Sequence, residues 1–320
     1  MKPNLPTILA TVVIATTGVV WYLNTPEDPE SEGAQLPEAP QERHAASAPA
    51  PATASPRHET GKLNALLDQT LTWQQRVELA NQLLVPGQLA EQEIDALFAC
   101  MSQQPAGNPE NWFVVVNEIM EVMREQGIGS DRYTAELASV MVNPQVHPVV
   151  RDYAVQHLSM WVVPPTESSP GEADPAQVIA VLDTFGALIV DQSLSHTSIP
   201  GTTAMALADV TTRNAEIASP VWQRITPQLS DLLNGGAQAT VVTKVSVVQA
   251  AAIAGVRELE PLTAQLAGDP STQPSVRLSS VAALGVHGNP ERKQLLETIA
   301  QSDPRLRFAA AAAINKLLAR

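Results

Sequence analysis

The side chains that could do chemistry are few and scattered. Six histidines occur, His44, His58, His147, His157, His196 and His287. A helical metal site needs two imidazoles a turn apart, or a cysteine pair beside them, and neither pattern is present. His147 and His157 come nearest, but ten residues of helix turn the second about 80° away from the first. Cys100 is the single cysteine. It excludes an intrachain disulfide, and with no histidine or cation close in sequence it reads as a small buried hydrophobe rather than a nucleophile. There is no G-x-S-x-G elbow, no P-loop and no G-x-G-x-x-G; the G-I-G of residues 127–129 is an isolated turn. The expectation is a chain with no catalysis of its own, no metal, no cofactor and no identified small-molecule ligand.

The composition says what must position any site. The chain has 320 residues, 44% hydrophobic but only 16% charged and 4% aromatic, with a net charge of −14. Such a chain packs mainly on Ala, Leu and Val, which suits closely approaching helices. The negative charge argues against a nucleic-acid binder, whose affinity comes from clustered Lys and Arg. Charge is unevenly spread: residues 61–276 carry −14 and residues 277–320 carry +4. That basic end is either an ordinary solvated face or one pole of a bipolar molecule suited to oriented docking. Arg292, Lys293 and Arg305 are its candidate contact residues. Among the tryptophans Trp73, Trp112, Trp161 and Trp222, the exposed members would be interface anchors, with Trp161 and Trp222 the candidates.

Three segments follow from the pattern. Residues 1–23 contain Leu5–Leu23, 19 residues without a charge. As a helix they would span roughly 28 Å, close to the hydrocarbon thickness of a bilayer. Trp21 and Tyr22 stand where an interfacial aromatic belt would put them. Lys2 precedes the span and the next basic residue is Arg43, so the positive-inside rule keeps the N-terminus cytoplasmic and exports the rest, into the periplasm of a Gram-negative cell. An uncleaved anchor is the expectation; the rival is a signal peptide whose cleavage would give a secreted chain. Residues 24–60 hold 7 Pro and 8 Ala and almost no large apolar side chain, so a disordered, extended linker is expected.

Residues 61–320 are helical in pattern. Ile94, Leu97, Phe98 and Met101 form one stripe at i, i+3, i+4, i+7, and Val115, Ile119, Val122 and Met123 another. Six Asx-Pro pairs, at 108, 143, 174, 269, 289 and 303, punctuate roughly a dozen short helices, with the Asx expected to cap and the Pro to open the next helix. The chain also repeats. VRLSSVAALG (276–285) lies over LRFAAAAAIN (306–315) at an offset of 30, and SVVQAAAIAG (246–255) lies 30 residues earlier. In this frame Ala282 and Ala312 occupy tight helix contacts, Gly285 and Asn315 end their helices, and Arg277 matches Arg307, with Arg151 in a looser copy. These arginines read as bonds to an adjacent turn rather than as a ladder of ligand-binding cations. Periods of this size indicate stacked helix pairs.

The Asp-Pro, Val-Arg and Ala-Ala-x-x-Leu-Gly elements of residues 241–320 resemble short HEAT-like repeats of the type found in phycobilisome lyases. The resemblance is looser over 143–190 and only architectural over 61–142. It implies an all-α fold, a right-handed α-solenoid of HEAT-like helix pairs, preceded here by the transmembrane helix and linker. Such repeats serve scaffolds, adaptors and a few enzymes, so fold does not give function. The expected role is a membrane-anchored, exported scaffold that binds a protein or peptide. The alternatives are a tether in the cell envelope and a lyase-type enzyme. Residues 162–177 depart from the repeat as an insertion, either a contact site or a tolerated loop.

Overall fold

The chain divides into two units, Met1–Arg57 and His58–Arg320. The computed structural model describes residues 60–319 apart from 69, 84–88, 102–108, 126–129, 164–173 and 236–238. The expected anchor and linker, and most of the 162–177 insertion, lie outside the described residues. Within those described, no helix is long and apolar enough to cross a membrane.

The described residues form helices without a strand. The first seven are α1 (Thr60–Leu67), α2 (Trp73–Asn81), α3 (Glu91–Met101), α4 (Pro109–Glu125), α5 (Ser130–Val142), α6 (Pro148–Val162) and α7 (Pro175–Val190). The others are α8 (Ile199–Arg213), α9 (Ala215–Leu233), α10 (Val241–Ile253), α11 (Glu260–Gly268), α12 (Pro274–His287), α13 (Lys293–Ser302) and α14 (Arg307–Leu318). Each even-numbered helix packs on the odd-numbered helix before it, and also against the next even helix, from α2 through α14. The odd helices form a second, less continuous layer. The core lies between the layers and is built from Leu, Val, Ile and Ala, with Phe185 and Tyr133 among its largest fully buried members.

Local sequence explains the boundaries. Thr72 accepts from the Gln75 N–H while the Gln75 side chain accepts from the Thr72 N–H, a complete capping box before α2. Pro148, Pro175 and Pro274 open α6, α7 and α12, where a missing N–H costs nothing. The Asx-Pro pairs split into two kinds. Asp174 caps α7 as expected. Asn143, Asp269 and Asp303 instead follow a helix, and each folds its carboxamide or carboxylate onto the N–H two residues on. An Asx side chain at a helix end can reverse the chain this way before any new helix begins.

The 30-residue frame is one residue out in its helix contacts. Ala282 and Ala312 are exposed; Ala283 and Ala313 are the buried alanines. Gly285 does not end α12. It lies inside the helix where a Cβ would come within 2.7 Å of the Ala313 Cα. The helix ends at Gly288, whose φ of +75 is the left-handed cap that glycine adopts without strain. Gly255, aligned with Gly285 by sequence, is a turn residue at φ +71. The same letter serves close approach in one copy and chain reversal in the other.

Candidate functional site

Three arginines follow a shared rule. Arg76 donates from Nε to the Leu66 carbonyl at 2.6 Å, Arg151 to Met141 at 2.7 Å and Arg277 to Ala267 at 3.0 Å. Each sits at the fourth position of an even helix and reaches the last turn of the odd helix ten residues earlier. All three are buried. Helix C-termini carry unsatisfied carbonyls and partial negative charge, so a guanidinium there meets both needs. Arg277 also holds Asp303 of the following helix pair at 2.6 Å. Arg76, which the repeat comparison missed, belongs to this set; Arg307 does not and is exposed. The legible signal is an Asx eight residues before the arginine, as in Asp68–Arg76, Asn143–Arg151 and Asp269–Arg277.

His157 is the most perturbed of the described imidazoles. On α6, its Nε2 lies 3.2 Å from Asn117 Oδ1 of α4, which makes Nε2 the protonated nitrogen. Nδ1 lies 3.6 Å from Glu121 Oε2, and the other oxygen of that carboxylate pairs with Arg124 at 2.5 Å. Only 2% of His157 is exposed, and burial pulls its pKa down to about 4 despite Glu121. The ring is therefore neutral near pH 7 and closed to a substrate. His147 is elsewhere, capping α6 and lying 4.4 Å from the Phe113 ring centre. Among the described residues no group of three His, Cys, Asp or Glu is placed to hold a metal. Burial likewise raises the Cys100 thiol to about 11, beside Arg76, so it is protonated at neutral pH.

The His157 environment has a consequence for stability. An imidazole near 6.5 when unfolded and about 4 when folded favours the native state fully above pH 6.5. That contribution falls by up to about 1.4 kcal/mol per pH unit on acidification from 6.5 toward 4, roughly 3 kcal/mol in all. Glu118 and Asp152, whose carboxyls burial raises, work in the opposite direction. Denaturant melts of His157→Gln between pH 6.5 and 4.5 should show a flatter loss of stability than the parent; parallel curves would mean the ring titrates normally.

The candidate contact residues are placed as follows. Arg292 grips Glu260 with two bonds, 2.5 and 2.9 Å, and holds its carboxyl below the usual range. Lys293 lies 3.6 Å from Glu297. Arg305 shares Asp303 with Arg277, so two guanidinium groups meet one carboxylate. Trp222 is core, its indole N–H donating to Thr211 Oγ1 at 2.9 Å. Trp161 is half-buried against the same core. These five residues therefore do not assemble into one surface. The cations of residues 292–305 are largely neutralised within the chain.

A different surface is assembled. On α10, Val242, Val245, Gln249 and Ile253 share one outward face; on α12, Leu278, Ala282 and Val286 do so; on α14, Phe308, Ala311, Ala312 and Leu318 point away from the core. Exposure reaches 50% at Val242, 85% at Phe308 and 65% at Leu318. These helices lie side by side, α12 touching both neighbours. Their sequences contain no Asp or Glu, although the chain has 33. Arg307 and Lys316 of α14 make no ion pair among the described residues. A separate depression of about 200 Å³, lined by Asp191, Gln192, Ser195, Gln228 and Asp231 among others, opens between the ends of α7, α8 and α9.

No family model and no curated protein matches the sequence. Among solved structures the chain is similar to human deoxyhypusine hydroxylase in complex with glycerol, with 14% identity and a TM-score of 0.34 over 81% of this chain and 96% of that one. That neighbour is an enzyme, which overturns the expectation from the bare sequence that a chain of this kind does no catalysis. A likeness this slight brings no reaction, substrate or metal to the present chain.

Proposed function

We propose that the protein is a membrane-anchored, exported α-solenoid of HEAT-like helix pairs that binds another protein or peptide through the outward faces of its even-numbered helices. The observation that carries this reading is the side-by-side alignment of apolar, carboxylate-free faces on α10, α12 and α14. Val242 and Ile253 of α10 and Phe308 and Leu318 of α14 are large and exposed, with the half-buried Leu278 and Val286 of α12 between them, and a contiguous apolar patch of this kind marks interaction sites. The recurring arginine bond from even helix to preceding helix end supports the helix-pair repeat. The anchor and its orientation rest on the uncharged Leu5–Leu23 and on Lys2 before it. A photoreactive residue placed at Ala282 or Phe308 should crosslink to one specific protein in intact cells. Absence of any protein adduct from either position would count against the reading.

A further inference from the structure

Every charge on the three helices of this face is positive. Lys244 is the only charged residue of α10, Arg277 the only one of α12, and Arg307 and Lys316 the only ones of α14. Arg277 is buried and spent on Ala267 and Asp303. Arg307 and Lys316 are exposed, and Arg305, 78% exposed, competes with Arg277 for a single carboxylate. The odd helices beside them are different, because they carry both signs: Glu260 of α11 is paired with Arg292 and Glu297 of α13 with Lys293. In so acidic a chain this separation gives the even face a local field opposite to that of the whole molecule. It would draw an acidic partner to the even layer in preference to the odd one.

The apolar positions decide the shape of what fits. Val242, Val245, Gln249 and Ile253 recur at helical spacing, as do Leu278, Ala282 and Val286. Side chains in such rows form ridges that accept another helix. From this we infer that the face of α10, α12 and α14 binds an amphipathic helix whose apolar stripe is flanked by carboxylates, with the carboxylates lying toward Arg307 and Lys316. The inference rests on the scaffold reading above and adds the chemistry of its partner. A cationic or neutral amphipathic helix has the same apolar stripe but gains nothing from these charges. An anionic membrane surface shares the charge but lacks the stripe's register.

The test uses the full chain and three labelled amphipathic helices of about 18 residues, long enough to hold a helix on contact. Their polar faces are Glu, Gln or Lys and their apolar faces are all Leu. Vesicles of phosphatidylglycerol and phosphatidylcholine form a fourth probe. The Leu/Glu helix should bind tightest, and its affinity should fall as salt rises because the cations are exposed. Reversing both Arg307 and Lys316 to Glu should weaken it by about tenfold and strengthen the Leu/Lys helix. A second variant on another helix, Val242→Ser, should weaken all three peptides, with melting temperature as the check on folding for both. Equal affinity for the three peptides would overturn the inference while leaving a protein-binding face intact. The anchor holds vesicles whatever this face does, so binding to none of the peptides, together with vesicle binding that falls when Arg307 and Lys316 are reversed, would overturn both the inference and the scaffold reading.

Discussion

Gly285→Ala is expected to destabilise the protein by about 2 kcal/mol, although alanine is the better helix former. Inside α12 the exchange should gain up to about 1 kcal/mol from backbone entropy. Against that, the new Cβ would sit 2.7 Å from the Ala313 Cα and 2.9 Å from its Cβ. Both belong to the backbone or its first carbon, so no rotamer change relieves them and α14 must move. Overpacking of this sort costs about 1–3 kcal/mol, more when backbone is displaced. Gly268→Ala, at the end of α11, is the control. Its Cβ would meet only Leu295 Cδ1, at 3.5 Å, an ordinary van der Waals contact. Chemical denaturation of the two variants should separate them clearly; equal stability would mean that α12 and α14 do not touch at this point.

Arg277→Ala should cost about 3 kcal/mol, and Arg277→Lys nearly as much. The guanidinium is buried, donates to the Ala267 carbonyl and holds Asp303. Removing it leaves a helix-end carbonyl without its partner and empties the space of a long side chain. A lysine has a single nitrogen and cannot serve both acceptors in the same fork. Arg307→Ala, the change that a 30-residue alignment makes equivalent, should lie within about 0.5 kcal/mol of the parent because Arg307 is exposed. Denaturation midpoints for the three variants decide between the two registers.

These two residues also mark what could be read before folding. The helices and their pairing were legible from hydrophobic spacing and the repeat, whereas the helix starts were not: Asn143, Asp269 and Asp303 close a helix, and His147, Gln273 and Leu306 stand at the next N-caps. The arginine bond was half legible: Arg151 and Arg277 were visible as a recurring Val-Arg, whereas Arg76 emerges only when distance is counted from the preceding Asx. Helix contacts were misplaced by one residue because the guide was alanine. In RFAAAAAINKLL five consecutive alanines leave no apolar stripe to show which side faces the core, so Ala312 and Ala313 are interchangeable until packing chooses. The basic cluster at residues 292–305 failed as a site for another reason. Net charge does not reveal pairing, and Glu260, Glu297 and Asp303 are each near a cation. The carboxylate-free helices were present in the sequence but had no meaning until the layers put α10, α12 and α14 side by side.

The face itself is open to direct measurement. Photoreactive residues can be placed at Val242, Ala282 and Phe308 on the even layer and at Ile179 of α7, 58% exposed, on the odd layer. The account predicts one common protein adduct from the three even positions and none of that size from Ile179, in cells expressing the full chain. The same adduct from all four positions, or adducts from Ile179 alone, would contradict a binding face built on the even-numbered helices.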